Sequence, residues 1–368
     1  MAAGWRPPLR RPNIPQNKTT GGALMTFQPK PLDTHVNWRA ADVADPAAWT
    51  LQLDDADQAE IDAAVRSVQA GGLDILDVSR DEFPLSGLVP KLAEVERELI
   101  DGRGFVRIAG LDASRYSDDE LTLIYWGIGA HLGEPWPQNK HGHLLGDVTD
   151  QGKTADDPYS RGNEIGGIAF DYHTDGSDLV GLMCLRPAAR GGLSCVANVV
   201  AIYNELVKTR PDLVEVLYEK FPWDHRGEQP KGGKPYYMQP VFTEFEDRLF
   251  VKFIPQYIKS SQKYPETPRL TALQREAIDT MSQMARDPDF NVYMDLQPGV
   301  MQFINNYHVL HGRSAYEDDA ASGKKRHLKR LWLATRRLSS RPPHFHYKTR
   351  AHWGQTRSMS HVPAVERV

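Results

Sequence analysis

From residue 143 onward the chain breaks into short runs of β-forming residues, and this narrows the folds open to it more than any other feature. The runs fall at 143–149, 167–173, 178–185, 193–198, 236–242, 248–254, 291–296, 300–304, 307–311 and 327–335, separated by clusters of Gly, Pro, Asn and Asp. Short β-prone runs between turn formers read as strands. Two helical inserts interrupt them, near 199–219 and 268–286. Strands and helices do not alternate one for one, which argues against a doubly wound parallel sheet. Many short strands in series predict a sandwich, barrel or jelly roll.

Ahead of this region the pattern is helical. Ile61, Val65 and Val68 share one face of a helix over 55–70, stopped by Gly71-Gly72. A second helix fits 89–101, a strand fits 104–108, and Ser117-Asp-Asp-Glu120 is a capping box opening a helix to about Ala130. We expect a flexible N-terminal extension over 1–44, a single domain over 45–338 and a basic C-terminal tail over 339–368. The extension contains no apolar core of a secretory signal, and its prolines spoil an amphipathic helix.

Charge is unevenly spread. Residues 321–368 carry twelve Lys and Arg and one acid, Glu366, for a net +11, whereas residues 1–320 carry a net -15. A basic tail invites a nucleic-acid reading. Its charges are interleaved with Leu331, Trp332 and Leu333, which read as a buried strand, so we expect no nucleic-acid partner. The acidic body is the nearer partner, by docking back or by pairing within a homo-oligomer. No apolar run approaches the ~18 residues of a membrane span, and none is expected. The two cysteines, Cys184 and Cys195, are too few for a disulfide scaffold and suit a reducing, cytoplasmic setting.

The chemistry lies in the histidines. His173-Thr-Asp175 places an imidazole and a carboxylate two residues apart, on one side of an extended segment. Two such groups with a distant histidine can form a facial triad that leaves open positions on Fe(II). The dipeptide alone is weak, since 13 histidines and 48 acids produce such pairs by chance. Its surroundings are more specific. Residues 165–177 read IGGIAFDYHTDGS, and 138 residues after His173 comes His311, in Asn305-Asn-Tyr-His-Val-Leu-His-Gly-Arg313. Arg326 and Arg330 follow, and Gly191-Gly-Leu-Ser194 closes a turn in between.

Together these motifs resemble the taurine dioxygenase-like family of Fe(II)/2-oxoglutarate dioxygenases, over roughly residues 100–335. The resemblance implies a mainly β fold with flanking helices around a double-stranded β-helix (jelly-roll) core. It implies His173, Asp175 and His311 as iron ligands and catalytic centre, and Arg330 with Ser194 as the grip on the far carboxylate of 2-oxoglutarate. The cofactors are then Fe(II), 2-oxoglutarate and O2. The implied reaction hydroxylates an unactivated C–H bond of a small organic substrate, one bearing a carboxylate or amine, and releases succinate and CO2. Desaturation, cyclisation and oxidative cleavage by the same centre remain open, as does a non-oxidative cupin-type metal protein. Asp175 stands where related halogenases have a small residue, which argues against halogenation. Arg326, Gln138, Asn139 and Tyr172 are the candidate substrate contacts, with a salt bridge to a structural acid as the alternative for Arg326. His308, three residues before His311, should point away from it along a strand.

Overall fold

A computed structural model describes residues 28–139, 142–154, 162–229, 231–319, 321, 323–338 and 340–345. Two β-sheets face one another. The larger has seven strands, in the order Thr50–Gln52, Phe105–Ala109, Met301–Asn305, Leu179–Arg186, His327–Ala334 and Glu134–Pro135, with Leu145–Thr149 also paired to His327–Ala334. The smaller orders Asn291–Met294, Ser194–Asn198, Val309–Arg313 and Phe170–His173. Nearly all pairings are antiparallel; Thr50–Gln52 with Phe105–Ala109 is parallel. This is the jelly-roll core with flanking helices expected above.

Alternation along the strands separates three apolar cores. Phe105, Val180, Cys184, Val196, Ile304, Val309, Leu328 and Trp332 point between the sheets. The helices Asp55–Gly71, Val89–Ile100 and Asp118–Leu132 cover the back of the large sheet, burying Ile61, Leu92, Ile124 and Trp126 in one core with Leu331 and Leu333. The helices Val199–Thr209, Pro211–Leu217 and Ala272–Arg286 cover the back of the small sheet, where Cys195, Ala197 and Leu310 face them.

Local chemistry explains the helix ends. Ser117 and Glu120 form the expected capping box, and Gly72 ends its helix in the left-handed region at φ 62°. The helix expected over 199–219 is two, because Pro211 has no N–H to continue the first and instead opens the second. The second insert starts at Ala272, capped by Thr271. A strand at Lys220–Asp224, paired with Tyr236–Pro240, and a helix at Pro255–Ser261 were not expected.

Both ends of the domain depart from expectation. Order begins before residue 45. Val36, Trp38 and Val43 are buried, Asn198 Nδ2 donates to the carbonyls of Val36 and Trp38, and Asn204 pairs with the backbone of Leu32. Residues 340–345 also pack. Phe345 is buried on Phe250 and Tyr307, and His344 is half-buried with Nε2 3.0 Å from Thr243 Oγ1. His346 lies outside the described residues. No helix among the described residues is long and apolar enough to cross a membrane.

Candidate metal centre

The small sheet pairs His311 directly opposite His173. Strand alternation sends both rings between the sheets, while their neighbours Leu310 and Tyr172 turn to the helix-covered back. Asp175 follows just past the strand end. His311 Nε2 lies 3.6 Å and His173 Nε2 3.9 Å from its two carboxylate oxygens, and the imidazole rings are 4.2 Å apart. The three ligand atoms fall within 4.8 Å of one another, the one such cluster among the described residues.

The surroundings prepare these groups to bind a cation. His173 Nδ1 is 2.8 Å from the Asp171 carbonyl, so Nδ1 carries the proton and Nε2 presents its lone pair. Burial, and then the nearby His311, push the His173 pKa down to about 3, keeping the ring neutral. For Asp175 burial works upward, but the Arg330 charge and the adjacent His311 ring outweigh it and hold the carboxyl well below its usual range. Trp332 Nε1 donates to Asp175 Oδ2 at 2.9 Å, and Arg330 Nη1 lies 3.5 Å from the same oxygen. Asn306 clamps the backbone: its Oδ1 accepts from the Asp175 N–H at 2.7 Å, and its amide donates to the carbonyls of Asp175 and Ser177. Two imidazoles and a carboxylate that converge between the sheets fit a divalent iron with open positions.

Arg330 is not at Ser194. Its Nε donates to Gln138 Oε1 at 2.8 Å and its guanidinium lies over the Trp332 ring. Ser194 Oγ instead donates to Gln302 Oε1 at 2.6 Å. The guanidinium near Ser194 belongs to Arg326, which donates to the Gly192 carbonyl at 3.1 Å. Gly192 has φ +70°, and a Cβ there would come within 2.8 Å of Arg326 Nε, so the glycine turn makes room for this side chain. Arg326 is 4% exposed, and its Nη1 is buried without a partner. No acid pairs with its side chain among the described residues; Asp318 accepts only from its backbone N–H. Arg313, buried beside it and also without an ion pair there, shares the ring of Tyr316, the two guanidiniums lying 4.9 and 5.3 Å from it. Burial and the Arg313 charge push the Arg326 pKa down to about 10. A buried, unpaired cation of this kind is costly unless an anion joins it.

The other expected substrate contacts are turned elsewhere. Gln138 spends its amide on the carbonyls of Leu144 and Arg330, as well as on Arg330 Nε, so it orients that arginine. Asn139 bonds His143 within its own loop. Tyr172 packs into the back core with Cys195 and Ala197, because it alternates with the inward-facing His173. His308 is buried against Asn305 outside the cluster. His141 lies outside the described residues. Asn306, Arg313 and Trp332 escaped notice as polar contributors, although the first two stand inside the quoted 305–313 motif.

A family model described as "Taurine catabolism dioxygenase TauD, TfdA family" matches residues 71–332. FR-33289 synthase of Streptomyces rubellomurinus is 30% identical over 307 residues, 83% of this chain and 90% of that protein. The taurine hydroxylase-like protein SAT17 of Stachybotrys chartarum is 28% identical over 85% of this chain and 82% of its own. Among solved structures, asparagine oxygenase in complex with Fe(II), 2S,3S-3-hydroxyasparagine and succinate superposes with a TM-score of 0.61 at 16% identity. It covers 81% of this chain and 98% of its own, and shares the fold.

Proposed function

Since the chain belongs to the taurine catabolism dioxygenase TauD, TfdA family and is a non-haem iron, 2-oxoglutarate-dependent dioxygenase acting on a small molecule, we propose that His173, Asp175 and His311 hold its iron, and that it hydroxylates an unactivated C–H bond of an acid-bearing substrate. Fe(II), 2-oxoglutarate and O2 supply the oxidation, leaving succinate, CO2 and a hydroxyl group on the substrate. The protein's own part is to bind, orient and keep water out. Asp171 fixes the tautomer of His173, and Trp332 and Arg330 fix the face of Asp175. Val180, Val196 and Leu328 line the space between the sheets and exclude water from it.

The observation that carries the cosubstrate assignment is the orphaned Nη1 of Arg326. A planar guanidinium meets a carboxylate bidentately and never loses its charge near neutral pH. We therefore assign the far carboxylate of 2-oxoglutarate to Arg326, with Ser194 nearby, in place of the Arg330 expected from the motif. Arg330, beside Asp175 and partly exposed, then faces the substrate and favours an anionic group on it. The buried free thiols Cys184 and Cys195 support a cytoplasmic setting.

The test is 2-oxoglutarate binding to the iron-loaded protein under anaerobic conditions. Arg326→Met should weaken it at least tenfold, while Arg330→Met should leave it within about threefold. Each lost charged contact is worth about 1.5–3 kcal/mol. The reverse ranking of the two variants would restore the original assignment and defeat this one.

A further inference from the structure

Asp178 lies three residues past Asp175 and is completely buried, yet its partners come from three separate stretches of chain. One carboxylate oxygen accepts from Tyr307 Oη at 2.8 Å and from Arg341 Nε at 2.7 Å. The other accepts from the Thr335 backbone N–H at 3.0 Å and from a second nitrogen of Arg341. The Asp178 carbonyl accepts from the Asn306 N–H at 2.9 Å.

Two of these stretches lead to the candidate centre, and the third is the C-terminal segment. Asn306 and Tyr307 form the turn into the strand that carries His311. Thr335 follows the strand that carries Arg330 and Trp332. Arg341 comes from the C-terminal segment, beyond the residues matched by the family model. It is 9% exposed and lies over the Trp136 ring at 5.8 Å. The loop Asp175–Asp178 is thus held at its first residue by Asn306 and at its last by Arg341.

We propose that the Arg341–Asp178 ion pair is a positioning device: the C-terminal segment sets where Asp175 stands relative to His311 and Arg330. This rests on the assignment of Asp175 as an iron ligand. A carboxylate as deeply buried as Asp178 needs a cation, and the bidentate fork of Arg341 fixes its direction as well as its charge. Loss of that fork leaves the Asp178 charge without its cation and the loop end to Tyr307, Thr335 and Asn306, and the shift that follows passes through three residues to Asp175.

The experiment uses the full chain and reads Fe(II) affinity by anaerobic titration against a chelator, together with the Tm. Arg341→Met should weaken Fe(II) binding at least tenfold, the scale seen when a group supporting a metal ligand is removed. Arg341→Lys should recover part of it. The double variant Asp178→Asn with Arg341→Met removes the stranded buried charge, so its Tm should return toward wild type while Fe(II) binding stays weak. A purely structural role predicts that Fe(II) binding recovers together with the Tm, so a double variant that melts and binds Fe(II) like wild type overturns the proposal. If Arg341→Met does not fold, the double variant decides alone. Asp175→Ala is the control: unchanged Fe(II) affinity there would remove the ligand assignment, and this inference with it, whereas loss of affinity there with a wild-type double variant would sink the positioning role only.

Discussion

His308 is 7% exposed and shares its Nδ1 with the Asn305 amide at 3.1 Å. Burial, and then the charge of Arg248, push its pKa down to about 4. An unfolded chain takes up that proton near pH 6.5. Between about pH 6.5 and 4 the unfolded state therefore binds more protons at this site than the folded one, and stability falls as the pH falls. His308 contributes its full share above that window and has lost it at the bottom. His308→Gln keeps a polar group of similar size that cannot titrate. Denaturant unfolding at several pH values should show a shallower acid-side loss in the variant than in wild type, and parallel curves would mean that His308 does not bind its proton differently in the two states. His173 has the same sign of shift, but a bound metal would itself hold that ring neutral, so the comparison belongs to His308.

At the scale of elements, the segment 28–44 deserves the name of an element although it is mostly irregular. Trp38 is 3% exposed, meets Phe105 edge-on at 5.1 Å, and donates from Nε1 to the Arg103 carbonyl at 2.7 Å. It belongs to the apolar core between the sheets. Trp38→Ala should cost about 3–5 kcal/mol of stability, read as a lower denaturant midpoint; a loss below about 1 kcal/mol would show that the segment only lies on the surface. Nothing in residues 28–44 has a helical or alternating period, so its role was hidden from pattern reading. Strands were legible where β-prone runs ended at turn formers, and so were the helices with a capping box or a glycine stop. Pairing partners decided the rest. Lys220–Asp224 is a strand because Tyr236–Pro240 lies beside it, a contact that no local period encodes. The triad was legible because strand periodicity links His173 with Asp175 and a motif links both with His311. The arginines were legible as a pair, but that Arg330 stands beside Asp175 and Arg326 beside Gly192 follows from the pairing of strands distant in sequence. Tyr172 failed as a substrate contact by the same period of two that made His173 a good candidate.

For the whole molecule, the charge imbalance resolves into particular pairs. Arg337 reaches Glu96 and Asp101, and Arg341 reaches Asp178, so part of the +11 end docks on the acidic body. Arg326, from the same end, is buried beside Arg313 of the body, and neither has an acid partner among the described residues. Like charges so placed raise the free energy of the folded state until an anion arrives. Stability should therefore depend on the cosubstrate even without metal. A ligand that binds only the folded state adds about 2.7 kcal/mol at one hundred times its Kd. Succinate keeps the far carboxylate of 2-oxoglutarate but lacks its keto group, so it isolates the arginine contact from the metal contact. In metal-free protein, succinate should raise the Tm, and acetate at equal ionic strength should raise it much less. Arg326→Met removes the unpaired cation and puts an apolar chain of similar reach in its place. Its Tm without ligand should equal or exceed that of wild type, while the succinate shift disappears. A variant that melts lower and still responds to succinate would mean that Arg326 is satisfied within the fold and that the anion binds elsewhere.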